Sequence, residues 1–337
     1  MLALEEGNTL EVHNDARRSS IMTDNMGRIA VTGGTGQFGR LVLERLVEHP
    51  AVESALSLDI MPLDWEHPRL EHVQADVRDP EVGRHFEGCQ SVVHLAFSIH
   101  RFKPRELFDG INVVGSKNVF EGAAKAGVRQ VVYASSAAAY GMVHSHPQPI
   151  LEDTPRVYQP DFAYSRAKYE VEDFLDGFEV EHPDICVTRL RPVVMLGERM
   201  GSMMGRVLGK GFLPSTSGGP FPIVWDEDVA DAVTLALEQR APGAFNLSAR
   251  EALPVGELAA AVQMRVLRFP RWLGALAARI SSLVALTGFG AMVDPAWIRY
   301  SDVPMVLDSE KAREVLGWEP TCDTAVEVLE RLKRSSA

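Results

Sequence analysis

Positions 1–26 are polar and show no sustained period, and the chain then turns abruptly into alternating apolar blocks. Arg28-Ile29-Ala30-Val31 reads as a short strand, and Arg40 to Leu46 carries apolar residues at helical spacing. Segments 55–59, 91–96 and 131–135 read as further strands, with helical stretches over 112–126 and 163–178. Nearly continuous apolar strands alternating with helices predict an α/β fold, a doubly wound parallel sheet covered on both faces. A Gly/Pro-rich stretch from Gly209 to Pro222 interrupts this order before Ile223 to Leu237 returns to strand-then-helix patterning. The organisation expected is a disordered tail over 1–26, a main domain over 27–193 rejoined by 223–248, and a smaller C-terminal substrate-binding cap from 194–222 and 249–330. Residues 266–293 are the most apolar part of the chain, and 280–293 carry no charge, yet fourteen residues are too few to span a bilayer. A buried helix pair over a substrate pocket is one reading of that segment. A peripheral membrane contact flanked by Arg268, Arg271 and Arg279 is the other.

Composition narrows the class. The 337 residues are 46% hydrophobic and 24% charged, which excludes wholesale disorder and a fibrous architecture. Acidic residues outnumber basic ones 46 to 34, and the resulting net charge of −12 argues against a nucleic-acid groove. Cys89, Cys186 and Cys322 have no metal-type spacing and read as thiols of a reducing compartment. Met1 to Glu6 carry acid where an export signal needs base and an apolar run, so a cytoplasmic location is expected. His144 and His146 lack further ligands at suitable spacing, and no metal site is expected.

Gly33-x-x-Gly36-x-x-Gly39 lies between a strand and a helix. Glycine there permits an unusual turn, brings backbone close to a pyrophosphate and lets the helix pack on the strand. The helix N-terminus then offers free N–H groups to the phosphates. A dinucleotide-binding Rossmann domain follows, with Thr35, Gln37 and Phe38 completing the loop. Asp59, twenty residues beyond Gly39, stands where a carboxylate accepts from an adenosine ribose and repels a 2′-phosphate. NAD is therefore expected over NADP. Asp76, with Val77 after it, is placed to meet the adenine edge.

Tyr164 and Lys168 are spaced i, i+4 and share a helix face. A free phenol titrates near ~10, and a drop of about 2–3 units, or 3–4 kcal/mol, makes it an acid/base near neutrality. One ammonium about 4–5 Å away supplies roughly that much at an effective dielectric near 20. Upstream, strand 131–135 ends in the hydroxyls of Ser135 and Ser136, at the carboxyl ends of the strands, where sites form in parallel α/β folds.

TGGTGQFG (32–39), VVHLAF (92–97), VVYASSAAAYG (131–141), YSRAK (164–168), LRPVVMLG (190–197), WDEDVADA (225–232) and LGWEP (316–320) together resemble the extended, epimerase/dehydratase-like branch of the short-chain dehydrogenase/reductase superfamily. The resemblance covers roughly residues 27–330. It implies that Ser136 is the catalytic hydroxyl (Ser135 the alternative), that Tyr164 is the general acid/base, and that Lys168 lowers its pKa and holds the nicotinamide ribose. It also implies that Leu95, Ala96, Phe97, Asn112 and Pro192 surround the cofactor, and that a homodimer forms through two helices. Two departures stand out. Ala137 and Ala138 replace the Asp-Glu pair that drives elimination in dehydratases of this branch. Val194 replaces the asparagine that contacts the substrate diphosphate in many nucleotide-sugar members. The expectation is an NAD-dependent oxidoreductase interconverting a secondary alcohol and a ketone on a bulky, partly hydrophobic small molecule. A nucleotide-sugar epimerase is the alternative.

Overall fold

The computed structural model describes residues 25–99, 105–198, 211–215, 219–268, 294 and 296–335. Seven strands form one sheet: β1 (Gly27–Thr32), β2 (Val52–Asp59), β3 (Leu70–Gln74), β4 (Ser91–His94), β5 (Gln130–Ala134), β6 (Cys186–Pro192) and β10 (Gly243–Leu247). Their order is β10-β6-β5-β4-β1-β2-β3, and every pairing is parallel. The chain winds outward from β1 to β3 and then crosses back to β4 on the other side of β1. The ends of those two strands, Thr32 and His94, lie side by side. A crevice opens at such a reversal, beyond the carboxyl ends of the strands.

The apolar blocks cover both faces. Helix α1 (Gln37–Glu48) buries Leu41, Val42, Leu43, Leu46 and Val47 on one face, beside α5 (Asp226–Gln239). Helices α3 (Gly115–Lys125) and α4 (Ala163–Glu181) pack on the other through Val119, Phe120, Val171, Leu175 and Phe178. Each such side chain contributes about 1.5–3 kcal/mol on full burial. The helix expected over 112–126 starts earlier, as α2 (Arg105–Asp109). It runs through a π-helical turn at Gly110–Val114 before α3. That turn carries Asn112, whose side chain accepts from Ser98 N and donates to Ser98 O.

Two small parallel sheets stand outside the main one. One pairs β7 (Val194–Leu196) with β9 (Ile223–Trp225); the other pairs β8 (Phe212–Ser215) with β11 (Arg265–Arg268). Helix α6 (Val255–Ala261) and the terminal helix α8 (Ala325–Ser335) close over them through Leu258, Val328 and Leu329. The LGWEP segment docks on α5. Trp318 Nε1 donates to Asp228 O, and the Asp228 carboxylate accepts from Thr321 and Cys322.

Of the tail expected over 1–26, residues 1–24 lie outside the described residues. Asn25 and Met26 are ordered, Met26 buried and its amide donating to Ala51 O. Of the apolar stretch 266–293, all but β11 lies outside the described residues. Among the described residues, no helix is long and apolar enough to cross a membrane.

Candidate active site

At the end of β1, Gly33 adopts φ +76°, and an added Cβ would stand 2.7 Å from Ala96 N. A Cβ on Gly39, in the first turn of α1, would meet the Gly33 carbonyl oxygen at 2.1 Å. Loop and helix are thus as close as backbone allows, and any side chain at either position closes the cradle. Gly36 precedes the helix, Gln37 and Phe38 open it, and Phe38 packs on the core. Asp59, at the tip of β2, accepts from Thr35 N and Met61 N, each at 3.1 Å. Backbone amides hold that carboxylate, with no cation among its hydrogen-bond partners within the described residues, which fits a ribose hydroxyl and disfavours a phosphate. Asp76 is differently occupied. Arg78 chelates its carboxylate at 2.5–3.0 Å, and that hydrogen-bonded pair holds the acid below its ordinary range. Val77 is buried against Gly115.

One buried chain of hydrogen bonds ties these loops together. His94 Nδ1 bonds Thr32 Oγ1 at 2.7 Å and Nε2 bonds Ser116 Oγ at 2.8 Å; Ser116 donates to Asn112 O. Full burial, with the charge of Lys168 nearby, pushes the imidazole down to about 3, so it stays neutral. Asn112 therefore acts on loop 95–98 from behind. Leu95, Ala96 and Phe97 line that loop half-exposed, and Pro192 is buried at the end of β6.

Tyr164, Lys168 and Ser136 come together at the carboxyl end of β5. Ser136 Oγ accepts from Ala138 N at 3.2 Å, and its hydroxyl lies close enough to the Tyr164 phenol to pull the phenol's pKa down. Ser135 is buried and turned away, donating to Glu172. Lys168 is buried, and its ammonium donates to Ala134 O at 2.6 Å and to the Tyr133 hydroxyl at 3.2 Å. The same ammonium lies 3.6 Å from the centre of the Phe97 ring and 5.9 Å from that of Tyr164. Burial pushes Lys168 well below its ordinary value, opposed by Glu172. The spacing alone predicts a depressed Tyr164 phenol; in the structure burial pushes it up, and the nearby Ser136 hydroxyl offsets only part.

The aromatic rings of Phe97 and Trp297 border the phenol, and of these only Trp297 belongs to no sequence motif. Phe97 meets the Tyr164 ring edge-on at 5.6 Å, and Trp297, in the short helix α7 (Ala296–Arg299), lies 5.3 Å from it. Trp297 is placed by contacts with 161–164. Asp294 accepts from Ala163 N, Arg299 and Tyr300 both reach Asp161, and Trp297 packs edge-on against Phe162 at 4.9 Å. Val194 is 37% exposed. His146 donates to backbone carbonyls, His144 stands near Asp302, and no metal-ligand group occurs among the described residues.

Comparison with known proteins agrees with this fold. The model of the NAD dependent epimerase/dehydratase family matches residues 29–248. A protein designated y4nG from Sinorhizobium fredii is 27% identical over 88% of this chain and 76% of its own length. UDP-glucose 4-epimerase of Streptococcus mutans is 26% identical over 89% of this chain and 94% of its own. Among solved structures, the UDP-glucose 4-epimerase of Thermotoga maritima with UDP-glucose superposes with a TM-score of 0.70 at 22% identity, covering 92% of this chain and 97% of that one.

Proposed function

The chain belongs to the NAD dependent epimerase/dehydratase family, and from that premise we propose that it oxidises a secondary hydroxyl on a bulky small molecule at Tyr164. The observation carrying this reading is the approach of the Lys168 ammonium to within 5.9 Å of the Tyr164 ring, with Ser136 beside the phenol at the carboxyl end of β5. NAD held in the glycine cradle supplies a hydride acceptor for the carbinol carbon. Tyr164 Oη takes the hydroxyl proton, and the Ser136 hydroxyl bonds the substrate oxygen as it becomes a carbonyl. In its protonated form Lys168 stabilises the phenolate that must form first. Phe97 and Trp297 wall the phenol with apolar surface, which supports a substrate presenting an apolar face there.

Nucleotide-sugar epimerisation is a second reading, with oxidation and reduction at one carbon and no net change in the nicotinamide. The Streptococcus relative, a UDP-glucose 4-epimerase, supports it at least as well as the first reading. Val194, in place of the diphosphate-contacting asparagine, weighs against it.

Tyr164→Phe is the decisive variant. Wild-type and variant protein are given NAD with UDP-glucose, UDP-galactose and a panel of hydrophobic secondary alcohols, following both nicotinamide absorbance and sugar product. The variant should bind NAD normally and lose at least about 100-fold in turnover. Full activity in Tyr164→Phe would remove the reading. Sugar product without net NADH would select epimerisation.

A further inference from the structure

We propose that Ser135 and Glu172 form a staple that positions the Ser136 hydroxyl against Tyr164; this rests on the role given above to Tyr164. Tyr164, Lys168 and Glu172 recur every four residues and form one stripe along α4. The stripe meets the end of β5 at successive residues. Lys168 donates to Tyr133 and Ala134, Glu172 accepts from Ser135 Oγ, and Tyr164 lies beside Ser136.

Glu172 has no exposed surface. A carboxylate so placed is costly unless its oxygens are all met. Arg191, from β6, meets both, through Nε at 2.9 Å and Nη2 at 2.5 Å. Arg156 approaches at 3.3 Å and Arg189 at 3.7 Å. Burial alone raises the acid, yet Arg191, Ser135 and Arg189 outweigh it and hold Glu172 ionised.

Arg191 has a second task. It donates to the Tyr140 hydroxyl at 2.8 Å and to Glu152 O at 3.1 Å, and Tyr140 donates to Asn246 at 2.8 Å. Residues 137–140 form the 3-10 turn that follows Ser136. The segment bearing Ser136 is therefore held on both sides by one ion pair, at Ser135 through Glu172 and at Tyr140 through Arg191. The arginines already meet the charge of Glu172. The Ser135 bond adds to that pairing and, through the chain, also fixes the neighbouring residue.

Ser135 is thus a positioning residue, and a structural role alone would not move the titration of Tyr164. The experiment uses the full chain with NAD. The phenol is followed by ultraviolet difference titration, each protein measured against its own Tyr164→Phe partner so that other tyrosines cancel. In Ser135→Ala, Ser136 loses its alignment with the phenolate, and the titration should move up by roughly one unit. Ser135→Thr keeps the hydroxyl and should overlay the wild type. Ser135→Cys preserves volume with a weaker donor and should fall between; it carries the test if the alanine variant does not fold. A folded alanine or cysteine variant whose curve superimposes on the wild type overturns the proposal. The titration needs no substrate, so this result stands apart from whether Tyr164→Phe abolishes turnover.

Discussion

The Lys168 ammonium sits 3.6 Å from the centre of the Phe97 ring, and that ring also meets Tyr164 edge-on at 5.6 Å. One aromatic side chain therefore touches both groups assigned to proton transfer. A desolvated cation over a ring gains about 2 kcal/mol, and truncating the ring adds a packing loss. Phe97→Ala should lower stability by about 1–3 kcal/mol and reduce turnover, because the ammonium becomes better solvated and supports the phenolate less. Thermal unfolding and steady-state rates check this; an unchanged melting temperature with wild-type turnover would sink it.

Asp59 is the residue proposed to choose between the dinucleotides. Its carboxylate is aimed by Thr35 N and Met61 N, so Asp59→Asn keeps the shape while removing the charge. NAD affinity should fall about tenfold, near 1.4 kcal/mol, while NADP binding improves or holds. Isothermal titration with both dinucleotides decides it. An unaltered NAD-to-NADP preference would contradict the assignment.

Gly33, Gly39, Asp59, Tyr164 and Lys168 were legible because their chemistry needs fixed residue types at fixed spacing within one or two consecutive elements. The strand blocks were legible for a related reason, since burial on both faces leaves a nearly unbroken apolar run. Glu172 was not legible. An acid in an amphipathic helix reads as a solvated position until β6 brings Arg191 against it. Trp297 joins Tyr164 only because Asp294, Arg299 and Tyr300 dock on 161–163. The raised phenol could not be read either, since spacing reports the Lys168 charge and says nothing of burial. The π-helical turn at 110–114 shifts the apolar period by one residue, too small a change for pattern to reveal.

Trp297 makes a prediction about the substrate side of the site. Its indole packs on Tyr164 and Phe162 and remains half-exposed. Trp297→Ala should raise KM for the turned-over substrate about tenfold and leave NAD affinity within threefold, by the loss of a partly buried aromatic contact of ~1.4 kcal/mol. Kinetics beside cofactor titration separate the two effects. A variant that loses NAD binding and substrate binding equally would place Trp297 in the scaffold instead.

Asp226 gives the fold a pH dependence of defined sign. It begins α5, nearly inaccessible, with Glu227 N donating to Oδ1 at 2.8 Å. Burial pushes its carboxyl up to about 6, from an ordinary value of 3.8, against the help of that amide and of Arg45. A carboxyl with a raised folded value binds its proton more tightly in the native state than in the unfolded one. The native state is therefore favoured by this group below pH ~4, and the benefit is lost as pH rises through about 6. At neutral pH the ionised carboxylate costs at most about 3 kcal/mol, at 1.36 kcal/mol per unit. Asp226→Asn keeps an acceptor for the Glu227 amide and removes the charge. It should be more stable than wild type at pH 8, with the gain shrinking below pH ~6 and vanishing near pH ~4. Chemical denaturation across that range tests it, and a gain independent of pH would show that the charge of Asp226 is not what costs stability.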